Sequence, residues 1–312
     1  MPVSRTAHGY LTAALVVAIW TGFILVSRQG GVTPLTAWDL MAIRYGTAAA
    51  ILLPIYALRM KFPLFTRRRV CLAAVGGLGY ALLAFSGFKR TPATHAAILL
   101  PGLLPFAVAL AAWPVLGERP GARRWLGLAV IAAGVLCLGI DAFRGNGGLG
   151  PGDLLVTGAS LAWAGYTVLA RRWAADPRET TVAVALLTAL AYLPVYAAFL
   201  PKHISTVALP EIAGQAVYQG VVATIVQMLL YIRAVALIGP TRLGTLMALV
   251  PALAGFAAVP ALGEALGDWL AAGLVLVTAG ALLCNAPRLA LPGRRGSRAA
   301  ARQPSSPPGV KS

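Results

Sequence analysis

Apolar runs of about 18–25 residues recur from one end of the chain to the other, each able to cross a hydrocarbon layer of about 30 Å as a helix. No other feature constrains the fold so tightly. A water-free environment leaves each backbone N–H and C=O to be satisfied internally, so runs of this length form helices. We place ten spans at 8–27, 34–57, 70–88, 93–116, 122–140, 154–173, 179–200, 210–238, 241–262 and 266–285. Composition supports this. Hydrophobic residues make up 59% and charged residues 11% of the 312 positions, against about 45–50% and about 25% in soluble domains. The predicted fold class is an all-α integral membrane protein with a lipid bilayer as its solvent.

The net charge of +17 reports topology, and no nucleic-acid partner follows from it. With a cytoplasmic N-terminus, Arg59, Lys61, Arg67, Arg68 and Arg69 fall inside, as do Arg119, Arg123 and Arg124. Arg5, Arg171, Arg172, Arg178, Arg233, Arg242 and the six basic residues of the tail join them, so that 20 of the 26 basic residues are internal. Arg28, Lys89, Arg90, Arg144 and Lys202 fall outside, and Arg44 lies within a span. The expected location is the plasma membrane (the bacterial inner membrane), multi-pass, with both termini cytoplasmic. The first apolar run is too long for a signal-peptide core, and Val26-Ser27-Arg28 offers no small-residue cleavage site. Cys71, Cys137 and Cys284 lie on three spans and read as small buried apolar residues without disulfide or metal spacing.

The chain repeats itself. Residues 105–136 align without a gap onto 251–282, with 13 identities in 32 positions. These include Pro105/Pro251, Pro114/Pro260, Leu116-Gly117-Glu118/Leu262-Gly263-Glu264, Gly127/Gly273 and Gly134/Gly280. Earlier in each half, Trp20-Thr21-Gly22-Phe23 matches Trp163-Ala164-Gly165-Tyr166, and Leu53-Pro54-Ile55-Tyr56-Ala57 matches Leu193-Pro194-Val195-Tyr196-Ala197. Each half holds five spans, an odd number, so the second enters the membrane with opposite polarity. The expected division is 1–140 for the first five-helix repeat, 141–153 for an external linker, and 154–286 for the second repeat. A disordered basic cytoplasmic tail occupies 287–312. Two inverted five-helix repeats about an axis in the membrane plane form a transporter architecture, with its site where the halves meet at mid-depth.

These residues carry a family resemblance. A Pro inside the fourth and ninth spans followed by Leu-Gly-Glu resembles the drug/metabolite transporter superfamily, specifically its EamA-type branch. Ala236-Leu237-Ile238-Gly239-Pro240-Thr241-Arg242 leading into the ninth span, and Arg44 in the second, add to the likeness. The resemblance covers roughly residues 10–285. It implies a ten-helix secondary carrier, often an exporter of amino acids or related metabolites, and it leaves the substrate open.

Mid-depth residues are candidates for the site. Near span centres lie Trp20, Arg44 with Tyr45, Tyr80, Pro105, Trp163 with Tyr166, Gln227 and Pro251. We take Trp20, Arg44, Tyr80, Trp163, Tyr166 and Gln227 as candidate cavity residues, with Pro105 and Pro251 as kink or gating positions. Tryptophan ordinarily sits at the membrane interface, so Trp20 and Trp163 read either as walls of a watered cavity or as packing with an internal N–H partner. A charge at the depth of Arg44 costs about 2.5–3.5 kcal/mol on insertion scales. Asp39, five residues earlier, lies about 140° round the helix and is poorly placed to pair with it. Arg44 therefore binds a substrate carboxylate or a gating carbonyl, or it snorkels outward. Pro101, Pro105 and Pro251 each remove a backbone donor and open a helix. The fifth and tenth spans are apolar around Ala132 and Leu276 and read as packing elements. Arg233, close to a span end, reads as snorkelling. Glu118 and Glu264 sit just before a new helix and are expected to meet that helix's N-terminus.

Enzyme chemistry finds no support. His8, His95 and His203 lie near span ends or in loops, and carboxylates are almost absent from span centres. We expect neither a catalytic residue, a metal nor a cofactor. Small four-helix relatives in the same superfamily depend on a membrane-embedded Glu in their first span. Here Tyr10–Val26 has none, which disfavours cation efflux by that mechanism. A receptor or passive scaffold would leave the repeat and Arg44 unexplained. The partners expected are a small-molecule substrate and lipid, for a monomer or a homodimer.

Overall fold

The computed structural model describes residues 5–144 and 149–285. Ten helices have the length and hydropathy to cross a membrane. In chain order they are α1 (Arg5–Val32), α2 (Ala37–Arg59), α3 (Arg67–Phe88), α4 (Ala93–Leu116) and α5 (Ala122–Arg144). The second half contributes α6 (Pro151–Arg172), α7 (Pro177–Phe199), α8 (Leu209–Ile238), α9 (Pro240–Leu262) and α10 (Asp268–Asn285). All ten predicted spans are present. The linker residues 145–148 and the tail from 286 lie outside the described residues.

Local chemistry sets the helix ends. Thr36 and Asp39 form a reciprocal cap on α2, the Thr36 hydroxyl accepting from the Asp39 N–H at 3.0 Å and Asp39 accepting from the Thr36 N–H at 2.8 Å. Asp176 accepts from the Arg178 and Glu179 N–H groups at 2.9 Å, with Pro177 at the first position of α7. Both α4 and α9 end on a glycine in the left-handed region, Gly117 at φ 71° and Gly263 at φ 67°. A side chain there would be strained, so the repeated Leu-Gly-Glu is a helix stop followed by an acid. The first helix runs past its predicted end because Gly30 and Gly31 are buried in the bundle. A Cβ on Gly31 would lie 2.5 Å from the Phe88 carbonyl oxygen.

The packing has the symmetry of the repeat. Helix α3 packs on α6 as α8 packs on α1, and α4 on α6 as α9 on α1. Helices α2 and α7 face each other, as do α5 and α10. The α5–α10 seam is backbone against backbone: a Cβ on Gly280 would sit 2.6 Å from the Gly127 oxygen, and one on Gly134 2.9 Å from the Gly273 oxygen. These two contacts are each other's repeat equivalents. Small residues of this kind let transmembrane helices approach closely. Cys137 is buried as expected, whereas Cys71 and Cys284 are only partly so, and all three thiols are free.

Four helices depart from α geometry at mid-length. Helix α3 is π-helical over Ala73–Gly79, and α8 over Ala216–Val226. Helices α3 and α8 are the third spans of their respective halves. Helix α4 is π-helical over Ile98–Gly102, and α9 breaks between Met247 and Val250. Pro105 and Pro251 therefore start the second segments of α4 and α9, at their second position, instead of kinking a continuous helix from within. Pro101 lies inside the π turn of α4, and the buried Ser160 hydroxyl donates to the neighbouring Leu100 carbonyl at 2.9 Å. Such irregularities are tolerated at membrane depth when other groups satisfy the backbone, and they recur at functional sites.

Candidate functional site

Between the halves lies a small open-sided cavity lined by Ile19, Trp20, Phe23, Arg44, Tyr80, Trp163, Ala223 and Gln227. Trp20, Arg44, Tyr80, Trp163 and Gln227 were named from sequence. The repeat brings its equivalent tryptophans together: Trp20 and Trp163 meet edge to face at 5.9 Å. Trp163 also contacts Tyr80 and Tyr166, each with ring centroids 4.9 Å apart. Tyr166 does not line the cavity; it supports Trp163 from behind and packs on the α3 π turn, where a Cβ on Gly76 would lie 2.3 Å from its ring. Pro105 and Pro251 do not line it either.

Arg44 is held from α8 and α1. Its Nη1 donates to Gln219 Oε1 at 3.2 Å, and the fully buried Gln219 donates from Nε2 to Ser27 Oγ at 2.9 Å. The guanidinium carbon lies 5.2 Å from the Phe23 ring centroid and 5.9 Å from that of Tyr45. Arg44 Nε and Trp20 Nε1 are both buried without a hydrogen-bond partner. Gln219 was not singled out from sequence. The signal was an amide in an apolar span, one turn beyond Gln215, whose Nε2 donates to the Val26 carbonyl at 3.1 Å. Asp39, as its azimuth predicts, is elsewhere: it binds Thr36, the Tyr196 hydroxyl at 2.5 Å and the His203 N–H at 3.1 Å.

The two Leu-Gly-Glu acids lie at opposite ends of the bundle, and here the structure corrects the sequence reading. Glu264 does not serve α10, the helix that follows it. Its two oxygens accept from the Ala93 and Thr94 N–H groups at 2.7 and 2.9 Å, capping α4 of the other half. It also pairs with Arg28 at 3.4 Å, and Arg28 Nη1 donates to the Phe88 carbonyl at 2.9 Å. Glu118 pairs across the halves with Arg171 at 2.5 Å instead of meeting α5. Arg28 and Arg171 stand at the same spacing as Trp20 and Trp163, so the two ion pairs are repeat equivalents.

They differ in burial. The Arg28 and Glu264 side chains are 19% and 11% exposed, whereas Arg171 and Glu118 are 48% and 39% exposed. The Glu264 end is further closed by Lys89, whose ammonium donates to the Thr33 and Leu35 carbonyls at 3.0 and 2.6 Å. Burial pushes the Lys89 ammonium below the ordinary lysine range. On the same side Asp153 binds Thr91 and His95. At the Glu118 end Arg69 joins Glu179 and the Pro63 carbonyl. Among the described residues no cluster of three or more His, Cys, Asp or Glu could hold a metal ion.

Ten apolar helices in two repeats around a central cavity define a multi-pass membrane transporter fold. The model of the EamA-like transporter family matches residues 7–140 and 150–286, one match per repeat, and the chain belongs to that family. It is 25% identical over 275 residues to "Uncharacterized transporter YwfM" of Bacillus subtilis (strain 168), covering 85% of this chain and 89% of that one. It is 26% identical over 256 residues to "Uncharacterized transporter YyaM" of the same organism, covering 78% and 83%. A crystal structure of a protein aligns over 93% of this chain and 100% of its own at a TM-score of 0.62 and 24% identity, a likeness of fold.

Proposed function

We propose that this chain is a secondary carrier that exports a small metabolite, such as an amino acid or a related compound, by alternating access. The observation that carries this reading is the pair of repeat-related ion pairs above and below one cavity. Arg28–Glu264 is buried and reinforced by two helix N–H groups, while Arg171–Glu118 is exposed and carries no such reinforcement. An inverted repeat can exchange these two arrangements, opening one end as it closes the other. By the distribution of basic loops, the Glu264 end is the external one, and its buried ion pair makes it the more tightly closed of the two. Trp20, Tyr80 and Trp163 would hold the apolar part of the substrate, and Arg44 and Gln227 its polar part.

Proton-coupled efflux of cations is the weaker reading, because Arg44 places a positive charge on the cavity wall and no carboxylate lines it. The test is counterflow. Purified protein in liposomes loaded with one unlabelled candidate should accumulate its radiolabelled form, with and without a proton gradient. Absence of protein-dependent exchange across amino acids, organic acids, amines and neutral metabolites would overturn the carrier reading.

A further inference from the structure

The cavity carries a charge that the protein itself does not balance. The chain has nine Asp and Glu residues, and each stands in a loop or near a helix end: Asp39, Asp153, Glu179, Glu211 and Asp268 in first turns, Asp176 at a cap, Asp141 near the end of α5, Glu118 and Glu264 after stops. No ion pair among the described residues includes Arg44. Its hydrogen-bond partner is a neutral amide, Gln219 Oε1, and its face is covered by Phe23. A guanidinium held this way in a low-dielectric span lacks the anion that would offset its desolvation.

Two further facts point to where that anion goes. Arg44 Nε and Trp20 Nε1 are buried N–H donors without acceptors, and both belong to residues that line the cavity from neighbouring helices. Buried donors are ordinarily paired, so two idle ones on residues of the cavity wall favour a ligand rich in acceptors. Apart from the neutral amide of Gln227 the remaining wall is apolar or aromatic: Ile19, Trp20, Phe23, Tyr80, Trp163 and Ala223. Nothing on it offers a carboxylate to an ammonium group.

We infer that the substrate class is the small monocarboxylate with an apolar or aromatic body and no balancing ammonium, its carboxylate seated on Arg44. This rests on the carrier reading and narrows it from amino acids and their relatives to net anions. Arginine's planar fork suits a carboxylate better than a point charge does. A zwitterion would satisfy Arg44 but leave its ammonium with the neutral Gln227 amide and aromatic faces, and no carboxylate to balance its charge. An amine would meet Arg44 as a like charge.

The test uses three probes with one body and three head charges: 3-phenylpropanoate, phenylalanine and phenethylamine. Each is titrated by calorimetry against the full chain in detergent, and each is offered in counterflow to the same protein in liposomes. 3-Phenylpropanoate should bind tightest and phenethylamine weakest, with at least a tenfold gap between them, about the effect of one charge-assisted pair. Arg44→Gln should weaken 3-phenylpropanoate at least tenfold while leaving phenethylamine no weaker, and Arg44→Lys should restore part of the loss. Melting temperature reports whether each variant is folded. Should Arg44→Gln fail to fold, the ranking on the unmodified protein decides by itself. Phenethylamine binding as tightly as 3-phenylpropanoate, or no binding of 3-phenylpropanoate, overturns the inference. Exchange of amines or neutral solutes without exchange of carboxylates also overturns it while leaving the carrier reading intact. Absence of exchange for every solute strikes the carrier reading instead.

Discussion

Replacing Glu264 by Gln should unlatch one end of the bundle, and replacing Glu118 by Gln should barely disturb the other. Glu264 accepts two backbone N–H bonds, at 2.7 and 2.9 Å, and faces Arg28 at 3.4 Å from a site where it is 11% exposed. A glutamine keeps one oxygen but turns an NH₂ toward a donor. It forfeits one charge-assisted bond and the ion pair, a loss of about 2–3 kcal/mol from the closed arrangement. That is a shift of roughly 30- to 150-fold in the fraction open at that end. Arg171 and Glu118 are 48% and 39% exposed, and an exposed pair contributes about 0–1 kcal/mol, a change below roughly fivefold. Ser27, fully buried one position before Arg28, is the reporter. With Cys71, Cys137 and Cys284 replaced, Ser27→Cys should react with a soluble maleimide at a rate proportional to the open fraction. Glu264→Gln should accelerate labelling roughly 30- to 150-fold and Glu118→Gln less than roughly fivefold. Equal acceleration by both, or none by Glu264→Gln, would refute the reasoning.

Trp163→Ala should weaken substrate exchange by about 1–3 kcal/mol, roughly 5–150-fold, with little change in melting temperature, because one face of the ring borders the cavity. Gly280→Ala should lower the melting temperature by the equivalent of about 1–3 kcal/mol, since its Cβ would lie 2.6 Å from the Gly127 oxygen. Gly139→Ala, with nothing within 4 Å of the added carbon, should be neutral or slightly stabilising, and a matching loss there would remove the seam as the cause. In intact cells an impermeant thiol reagent should label Lys202→Cys and spare Arg67→Cys; the reverse result would invert the orientation.

The ten spans were legible because membrane depth is encoded by length and composition alone, and the repeat because Pro, Trp and Glu recur in one order. Depth also sufficed to nominate Trp20, Arg44, Tyr80, Trp163 and Gln227. Azimuth was another matter. Gln215, Gln219 and Gln227 share one apolar span, and the π turn over Ala216–Val226 changes which side chains face Arg44. A regular helical period cannot register that change, so Gln219, which is 175 residues from Arg44 in sequence, went unnoticed. Tyr166 shows the complementary limit: it has the right depth but lies behind Trp163 instead of on the cavity wall. Glu264 was expected to meet the nearest helix start in sequence. The one it caps, at Ala93 and Thr94, lies in the other half and becomes its neighbour only through the fold.

Arg44 has no equivalent arginine in the second repeat, where the matching stretch of α7 around Ala185 is apolar. A scaffold built twice thus holds a charge placed once. If the barrier moves past a stationary cavity, the guanidinium passes from the electrical potential of one compartment to that of the other. Each elementary charge moved in this way is biased by about 2.3 kcal/mol per 100 mV. The empty protein would then feel the resting potential of the cell as a force on its own switching. A monoanion seated on Arg44 would cancel that force, so loaded and empty forms should differ in the charge displaced when the membrane is stepped in voltage.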